Sequence, residues 1–144
     1  MDMTALKVVI DTNILLAIIG RKSPFRWFFD GVINGQLRLC LSNEILMEYR
    51  EVLARKTTTE IAENLASFLL ISPHVEKTDV FYRFQLITAD ADDNKFVDCA
   101  IAANAVCLVS NDHHLQILKT IGFPRVEVLT LAEFEATYRH SLNL

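Results

Sequence analysis

The sequence lacks three features that would each define a class of protein. No apolar run comes near the roughly 20 residues of a membrane-spanning helix, and no basic start leads into an apolar stretch with a small-residue cleavage site. We therefore expect neither a membrane span nor a secretion signal. The three cysteines, Cys40, Cys99 and Cys107, stand in apolar runs without Cys-x-x-Cys spacing, and the four histidines form no zinc pattern. This usage indicates reduced core thiols in a cytoplasmic protein.

An excess of positive charge is also missing. The formal net charge of -4 argues against a broad, non-specific nucleic-acid surface. It leaves room for a nuclease, because an acidic cluster that holds divalent cations recruits phosphate through the metal. With 144 residues, 51% of them hydrophobic, and no repeat or linker, the chain is expected to form one domain over residues 1–144.

What the sequence does contain is a set of carboxylates in apolar surroundings. Each of the four follows or interrupts an apolar run: Asp11, Glu48, Asp98 and Asp112. A lone ionised carboxylate in such surroundings is costly unless it is paired, hydrogen-bonded or bound to a metal. Four of them along one chain indicate a shared divalent cation, and hence metal-assisted chemistry on phosphate.

Short apolar runs alternate with segments of helical periodicity. Strands are predicted over residues 6–10, 37–41, 106–109 and 126–129, and helices over 42–55, 59–70, 94–104 and 130–140 among others. This alternation predicts an α/β fold with a parallel sheet and helices on both faces. The mostly helical stretch 56–87 is expected to form an arm on the sheet.

The carboxyl ends of the strands are where ligands bind in such a sheet. Asp11 and Asp112 follow strands, whereas Glu48 and Asp98 lie within helices next to the second and third strands. We expect one or two Mg²⁺ or Mn²⁺ ions there, with Asp11 as the central ligand, Asp98 and Asp112 as direct or water-mediated ligands, and Glu48 ligating or orienting a water. Supporting contacts to these carboxylates or to a substrate phosphate are expected from Asn13, Ser110, Asn111 and Asp93.

Each carboxylate also has a simpler interpretation. Asp11 is a plausible N-cap, Glu48 a surface residue paired with Arg50 or Lys56, Asp98 the polar edge of its helix, and Asp112 a turn residue. Asp92 and Asp93 are expected to cap the helix that follows, with a place in the metal cluster as the alternative for Asp93. His113 and His114 are expected to lie on the loop surface. It is the four acidic residues together that indicate a metal site.

Three blocks of the sequence resemble the PIN-domain ribonucleases. They are Val9 to Asn13 (Val-Ile-Asp-Thr-Asn), Ser42 to Arg55, and Asp92 to Leu115 with its Asp-Asp-Asn-Lys-Phe-Val-Asp and Ser-Asn-Asp stretches. Their order and spacing are most similar to bacterial toxins of toxin–antitoxin pairs. The resemblance implies a three-layer α/β/α fold, Mg²⁺- or Mn²⁺-dependent cleavage of RNA, and the same four acidic positions. It also implies a homodimer and a small antitoxin protein as partner.

The chain departs from that family at Ala91, where proline is usual, and at Asn104 and Asn111, where glycine is frequent. A β-carbon at position 111 crowds close approach by a substrate, although asparagine tolerates a positive φ. Two other functions fit the same residues. Phosphoryl transfer through Asp11 would need an aspartate at position 13, where Asn13 stands, and a non-catalytic PIN-like module that binds RNA or protein would have kept the fold alone.

Overall fold

A parallel sheet of five short strands forms the centre of the protein. The computed structural model describes residues 5–144. The strands are β1 (Leu6–Ile10), β2 (Leu37–Leu41), β3 (Val75–Lys77), β4 (Cys107–Val109) and β5 (Val128–Leu129). Their order is β3-β2-β1-β4-β5, with every neighbouring pair parallel. β1 is therefore the middle strand, and its last three residues are fully buried. This burial explains why the strand is nearly all apolar.

Six α-helices connect and flank these strands. They are α1 (Thr12–Ile18), α2 (Arg26–Ile33), α3 (Asn43–Lys56), α4 (Thr59–Ile71), α5 (Asn94–Ala103) and α6 (Leu131–Phe134). Because the order of the sheet reverses between β3 and β4, right-handed crossovers place helices on both of its faces. The predicted α/β/α architecture with a central parallel sheet is confirmed.

The stretch predicted as a helical arm is helical only in its first half. α4 packs against α3 as a helical hairpin, with Ser42 and Thr58 capping the two helices. The chain then forms β3, which pairs with β2 at the edge of the sheet, and residues 78–90 have no regular secondary structure. The expectation of a mostly helical arm over 56–87 therefore holds for the first half of that stretch only.

Aromatic side chains of α2 belong to the core. The Phe28 ring lies 4.9 Å from that of Phe134 in α6, and Trp27 stacks on Phe134 at 6.3 Å. These contacts attach the C-terminal helix to the rest of the domain. No helix among residues 5–144 is long and apolar enough to cross a membrane.

Candidate metal centre

Two acidic residues meet where β1 and β4 end side by side. Asp11 is the first residue after β1, and its backbone N–H donates to the Val109 carbonyl of β4 at 3.3 Å. Asp112 follows β4 by three residues. The charges of the two carboxylates influence each other, as expected from parallel strands whose carboxyl ends lie at one edge.

Asp11 is both a helix cap and a buried carboxylate. Its side chain is held by two donors: Oδ1 accepts from the Ile14 N–H at 2.9 Å and Oδ2 accepts from the Ser110 hydroxyl. Burial raises the pKa of Asp11 above its ordinary value, these hydrogen bonds oppose that rise, and the charges of Asp112 and Glu48 add to it. Asp11 can therefore cap α1 and also take part in a metal site, because Oδ1 accepts from the Ile14 N–H while the carboxylate lies near Asp112 and Glu48.

Ser110 fixes the positions of both aspartates. Its side chain is fully buried, donates to Asp11 and accepts from the Asp112 backbone N–H at 3.0 Å. One hydroxyl therefore connects the loop after β4 to the end of β1. Loss of this hydroxyl would leave both neighbouring groups without a partner.

Asp93 faces the same cluster from the turn before α5. Its carboxylate lies with Asp112 and His114 in a group whose ligand atoms are all within 4.8 Å of one another. Asp93 makes no capping hydrogen bond to α5, and it is Asp90 that accepts from the Asp92 N–H at 3.1 Å. The expectation that Asp93 caps its helix was therefore wrong.

One oxygen of Asp93 is the clearest sign of a cation site. Oδ2 is buried and has no hydrogen-bond partner among the described residues. Burial raises the pKa of Asp93 to about 6, and the charges of Asp90, Asp112, Asp11 and Asp92 add to the rise. A buried carboxylate oxygen without a donor is destabilising, whereas a hard divalent cation would satisfy it.

Glu48 approaches from α3, held by contacts of its own. The neighbouring Tyr49 is buried and donates its hydroxyl to the Ile10 carbonyl at 2.6 Å, which anchors α3 to the end of β1. Oε2 of Glu48 accepts from the Thr12 hydroxyl, and Oε1 accepts from Lys95 Nζ at 2.5 Å. The alternative of a surface pair with Arg50 or Lys56 was wrong about the partner: Arg50 binds Glu63 at 2.8 Å.

Lys95 had no role in the sequence interpretation. Besides Glu48, its Nζ contacts Asp92 Oδ1 at 2.8 Å, three residues earlier on the same turn. The sequence does give one local indication, because Lys95 directly follows Asp92-Asp93-Asn94 and must therefore lie close to those two carboxylates. The contact with Glu48 joins residues 47 positions apart, and no periodicity predicts it.

Asp98 has different neighbours from the other three predicted carboxylates. It is 2% exposed and accepts from the backbone N–H of Phe84 at 3.1 Å. Burial raises its pKa, and the nearby charges that act on it are those of Arg83 and Glu44. Asp93 lies in the short turn before α5, whereas Asp98 lies within α5. The structure thus brings Asp93 to Asp11 and Asp112, and binds Asp98 to the segment 78–90.

The remaining candidates divide between surface and scaffold. Asn13 is exposed on the first turn of α1. Asn111 accepts from the Leu131 N–H at 3.0 Å and so ties the loop after β4 to the start of α6. Its φ is not positive, whereas Asn104, the other departure from glycine, has φ 54° at the end of α5. Asparagine tolerates that conformation. Crowding of a substrate by the β-carbon at position 111 stays a prediction of the sequence.

The two adjacent histidines differ in their surroundings. The His113 side chain is 87% exposed, as expected for loop surface. That of His114 lies with its Nδ1 3.5 Å from Asp112 Oδ1, and it belongs to the group with Asp93. Both histidines are exposed, as expected for a loop surface, and His114 in addition lies beside Asp93 and Asp112.

The donor set fits a hard divalent ion. Asp11, Asp93 and Asp112 offer carboxylate oxygens, one of them buried and unsatisfied, and the thiols of Cys40, Cys99 and Cys107 are buried elsewhere in the core. Oxygen donors without thiolate suit Mg²⁺ or Mn²⁺.

A family model described as PIN domain matches residues 7–114, which spans this whole arrangement from β1 to His114. The chain belongs to the PIN domain family. PIN domains share a nuclease fold, so an acidic cluster at the carboxyl edge of this sheet is an active-site candidate. No curated protein matches the sequence.

Solved structures support the PIN fold. VapBC2 from Rickettsia felis, bound to a DNA fragment from its promoter, aligns with a TM-score of 0.60 at 18% identity, over 87% of this chain and 98% of that one. DNA-bound VapBC from Salmonella typhimurium aligns at 0.55 and 18%, over 88% and 98%. The PIN domain endonuclease Utp24 aligns at 0.52 and 19%, over 86% and 84%.

The raised pKa of Asp93 predicts a pH-dependent stability. A carboxyl whose pKa is higher in the folded than in the unfolded protein binds protons preferentially when folded, so its contribution to stability falls as pH rises from about 4 to 6. In the metal-free protein we expect the melting temperature of Asp93→Asn, relative to wild type, to be higher at pH 7 than at pH 5. Melting curves of both proteins in chelator check this. An equal difference at both pH values would contradict the assignment.

Proposed function

We propose that this PIN domain is a Mg²⁺- or Mn²⁺-dependent endoribonuclease. The observation that carries the proposal is the group of Asp93, Asp112 and His114, whose ligand atoms lie within 4.8 Å of one another. Asp11 is close enough for its charge to raise the pKa of Asp93, and Asp93 Oδ2 is buried without a hydrogen-bond partner among residues 5–144. Such a cluster is destabilising for the fold alone, because like charges are held together away from water. A role in binding a divalent ion accounts for it.

The residues of the chain would divide the work as follows. Asp11, Asp93 and Asp112 would hold the ion, with Ser110 orienting Asp11 and the loop that carries Asp112. A bound divalent ion supplies Lewis acidity and lowers the pKa of water, which is what phosphodiester hydrolysis requires. Glu48, kept in place by Thr12 and Lys95, would orient the attacking water. Asp98 as a further ligand stays a prediction of the sequence.

Single-stranded RNA is the substrate class that the nearby surface favours. The segment 78–90 carries Phe81, 92% exposed, and Tyr82, 68% exposed, next to a cavity of about 210 Å³ lined in part by Lys95 and Arg83. Exposed aromatic rings stack with unpaired bases irrespective of sequence, whereas bases in a duplex are not available to them. Lys95 links this surface to Glu48 and the acidic cluster.

We also propose that the enzyme is the toxin of a cytoplasmic toxin–antitoxin pair and acts as a homodimer. The similarity to the two VapBC structures supports an antitoxin partner, and the homodimer is proposed from the resemblance to PIN-domain toxins. A toxin must be kept inactive in the cell that makes it, so a small protein that covers the acidic cluster is the expected partner. The three buried thiols fit a reducing compartment.

A substrate comparison tests the proposed activity. Chelator-treated protein receives a labelled single-stranded RNA, the same RNA annealed to its complement, or single-stranded DNA of the same sequence, each with Mn²⁺, Mg²⁺ or EDTA. We expect cleavage of the single-stranded RNA with either metal and none in EDTA. The duplex should be cut at least about tenfold more slowly, since each base that stacks on an aromatic side chain contributes roughly 1–3 kcal/mol to binding and paired bases cannot do so.

The outcomes separate the alternatives. Equal cleavage of DNA would contradict a ribonuclease, and cleavage in EDTA would contradict the metal. RNA binding without cleavage under any condition would favour a non-catalytic module. Transfer of phosphate to the protein would favour the aspartyl-phosphate reaction.

A further inference from the structure

We propose that Lys95 is a built-in cation that occupies the Glu48 side of the acidic cluster, so that the centre takes one divalent ion and not two. This inference rests on the metal centre proposed above and specifies its stoichiometry. Lys95 is a positioning residue in this account. Its ammonium group holds Glu48 where a second metal ion would otherwise be needed.

The carboxylates fall into two groups according to their partners. Glu48 and Asp92 share the ammonium of Lys95, at 2.5 and 2.8 Å. The side chains of Lys95 and Glu48 are only 13% and 18% exposed, so water screens this ion pair weakly. A cation is thus already present on this side of the cluster.

The second group of carboxylates, Asp11, Asp93 and Asp112, is contacted by neutral donors and not by a lysine. Asp11 accepts from Ser110 and the Ile14 N–H, and Asp112 accepts from the His114 N–H at 2.9 Å. Among the ion pairs of the described residues, Asp112 meets only the His113 and His114 side chains, at 3.9 and 3.5 Å, which are charged only when protonated. This group therefore lacks a permanent positive charge.

The free oxygen is on the second side. Both oxygens of Glu48 are in use, Oε1 by Lys95 and Oε2 by Thr12. Asp93 Oδ2, in contrast, is buried and unpartnered. A divalent ion would therefore bind at Asp93 Oδ2, which has no other partner. To bind Glu48, a second ion would have to displace an ammonium that is already close and partly buried.

Electrostatics supports one ion for the same reason. Two divalent ions in a nuclease centre lie about 3.5–4 Å apart and need carboxylates on both sides to offset their repulsion. The ammonium of Lys95 offsets part of the charge of Glu48 and Asp92, whereas no lysine or arginine pairs with Asp11, Asp93 or Asp112 among the described residues, so that second side attracts the divalent ion more strongly. Without Lys95, the carboxylates of Glu48 and Asp92 would be free to bind a second divalent ion.

The test counts Mn²⁺ ions per chain by calorimetry on the full-length, chelator-treated protein, with no RNA present. We expect one ion for wild type and for Lys95→Arg, which keeps the charge. Lys95→Met should bind two, the second more weakly. The double variant Glu48→Gln/Lys95→Met should return to one, because the second ion needs the Glu48 carboxylate, and its neutral pair protects against misfolding. Lys119→Met is the matched control, since Lys119 faces Glu133 at 3.9 Å on the surface.

A second readout is the melting temperature, measured first in chelator and then with Mn²⁺. In chelator, Lys95→Met should melt below wild type because Glu48 loses its ammonium, and added Mn²⁺ should raise its melting temperature more than that of wild type. Two ions in wild type, or one ion in Lys95→Met, would overturn the role of Lys95 and leave the metal centre standing. No Mn²⁺ bound by wild type would overturn the centre and, with it, this inference.

Discussion

Asp11→Asn is expected to lose metal-dependent RNA cleavage by about 10³-fold or more, which corresponds to roughly 4 kcal/mol of transition-state stabilisation. The reason is that asparagine supplies one neutral oxygen where the ion needs a charged carboxylate. The fold should survive, since the amide oxygen can still accept from the Ile14 N–H and so cap α1. The measurement is the initial rate of single-stranded RNA cleavage with saturating Mn²⁺.

The same variant has a second expected effect that distinguishes a functional carboxylate from a structural one. Burial raises the pKa of Asp11, so its charge is unfavourable in the folded protein without metal. Asp11→Asn should therefore melt at or above the wild-type temperature in chelator. Ser110→Ala serves as comparison, because it removes a buried donor and should melt lower. Full cleavage activity in freshly purified Asp11→Asn would contradict the assignment.

Asp93→Asn and Asp98→Asn are expected to differ strongly in Mn²⁺ affinity. Asp93→Asn replaces the buried carboxylate oxygen that lacks a donor, so the affinity of this variant for Mn²⁺ should fall by about 100-fold or more. Losing a residue that only supports a metal ligand already lowers affinity by roughly 10- to 100-fold. Asp98→Asn should stay within about threefold of wild type, a difference below roughly 0.7 kcal/mol. Its amide oxygen can still accept from the Phe84 N–H.

Calorimetric titration with Mn²⁺, with melting curves as a check of folding, compares the two variants. The comparison also decides between sequence and structure, since the sequence predicted Asp98 as a ligand and gave Asp93 a supporting role. If folded Asp98→Asn loses Mn²⁺ binding while Asp93→Asn keeps it, the sequence assignment stands and the structural one falls.

The fold could be predicted because its buried strands are recognisable in the sequence as short apolar runs. Val8 to Ile10 is a continuous apolar run, and the run from Leu37 to Leu41 is interrupted only by Arg38, as is typical of strands covered on both faces. β3 gave no such signal: Val75–Lys77 has three residues at the sheet edge, and two of them are Glu76 and Lys77. Its place follows from pairing with β2, a contact that no local pattern encodes.

The site was predictable where it depends on strand ends and unpredictable where it depends on the loop before α5. Asp11 and Asp112 follow β1 and β4, and parallel pairing alone brings them together. A carboxylate inside an apolar stretch drew attention to Asp98, but the backbone N–H that satisfies it comes from the irregular segment 78–90. Asp93 stood in an acidic loop typical of helix caps, and only the geometry shows that it caps nothing and faces Asp112.

The most direct test of the central claim is cleavage of a short labelled single-stranded RNA by chelator-treated wild type, before and after Mn²⁺ is added, with Asp11→Asn prepared in parallel. Cleavage that begins with Mn²⁺, stops with EDTA and is absent from Asp11→Asn is the predicted result. Cleavage of equal rate by the two proteins, or by wild type without metal, would contradict a metal-dependent nuclease centred on Asp11.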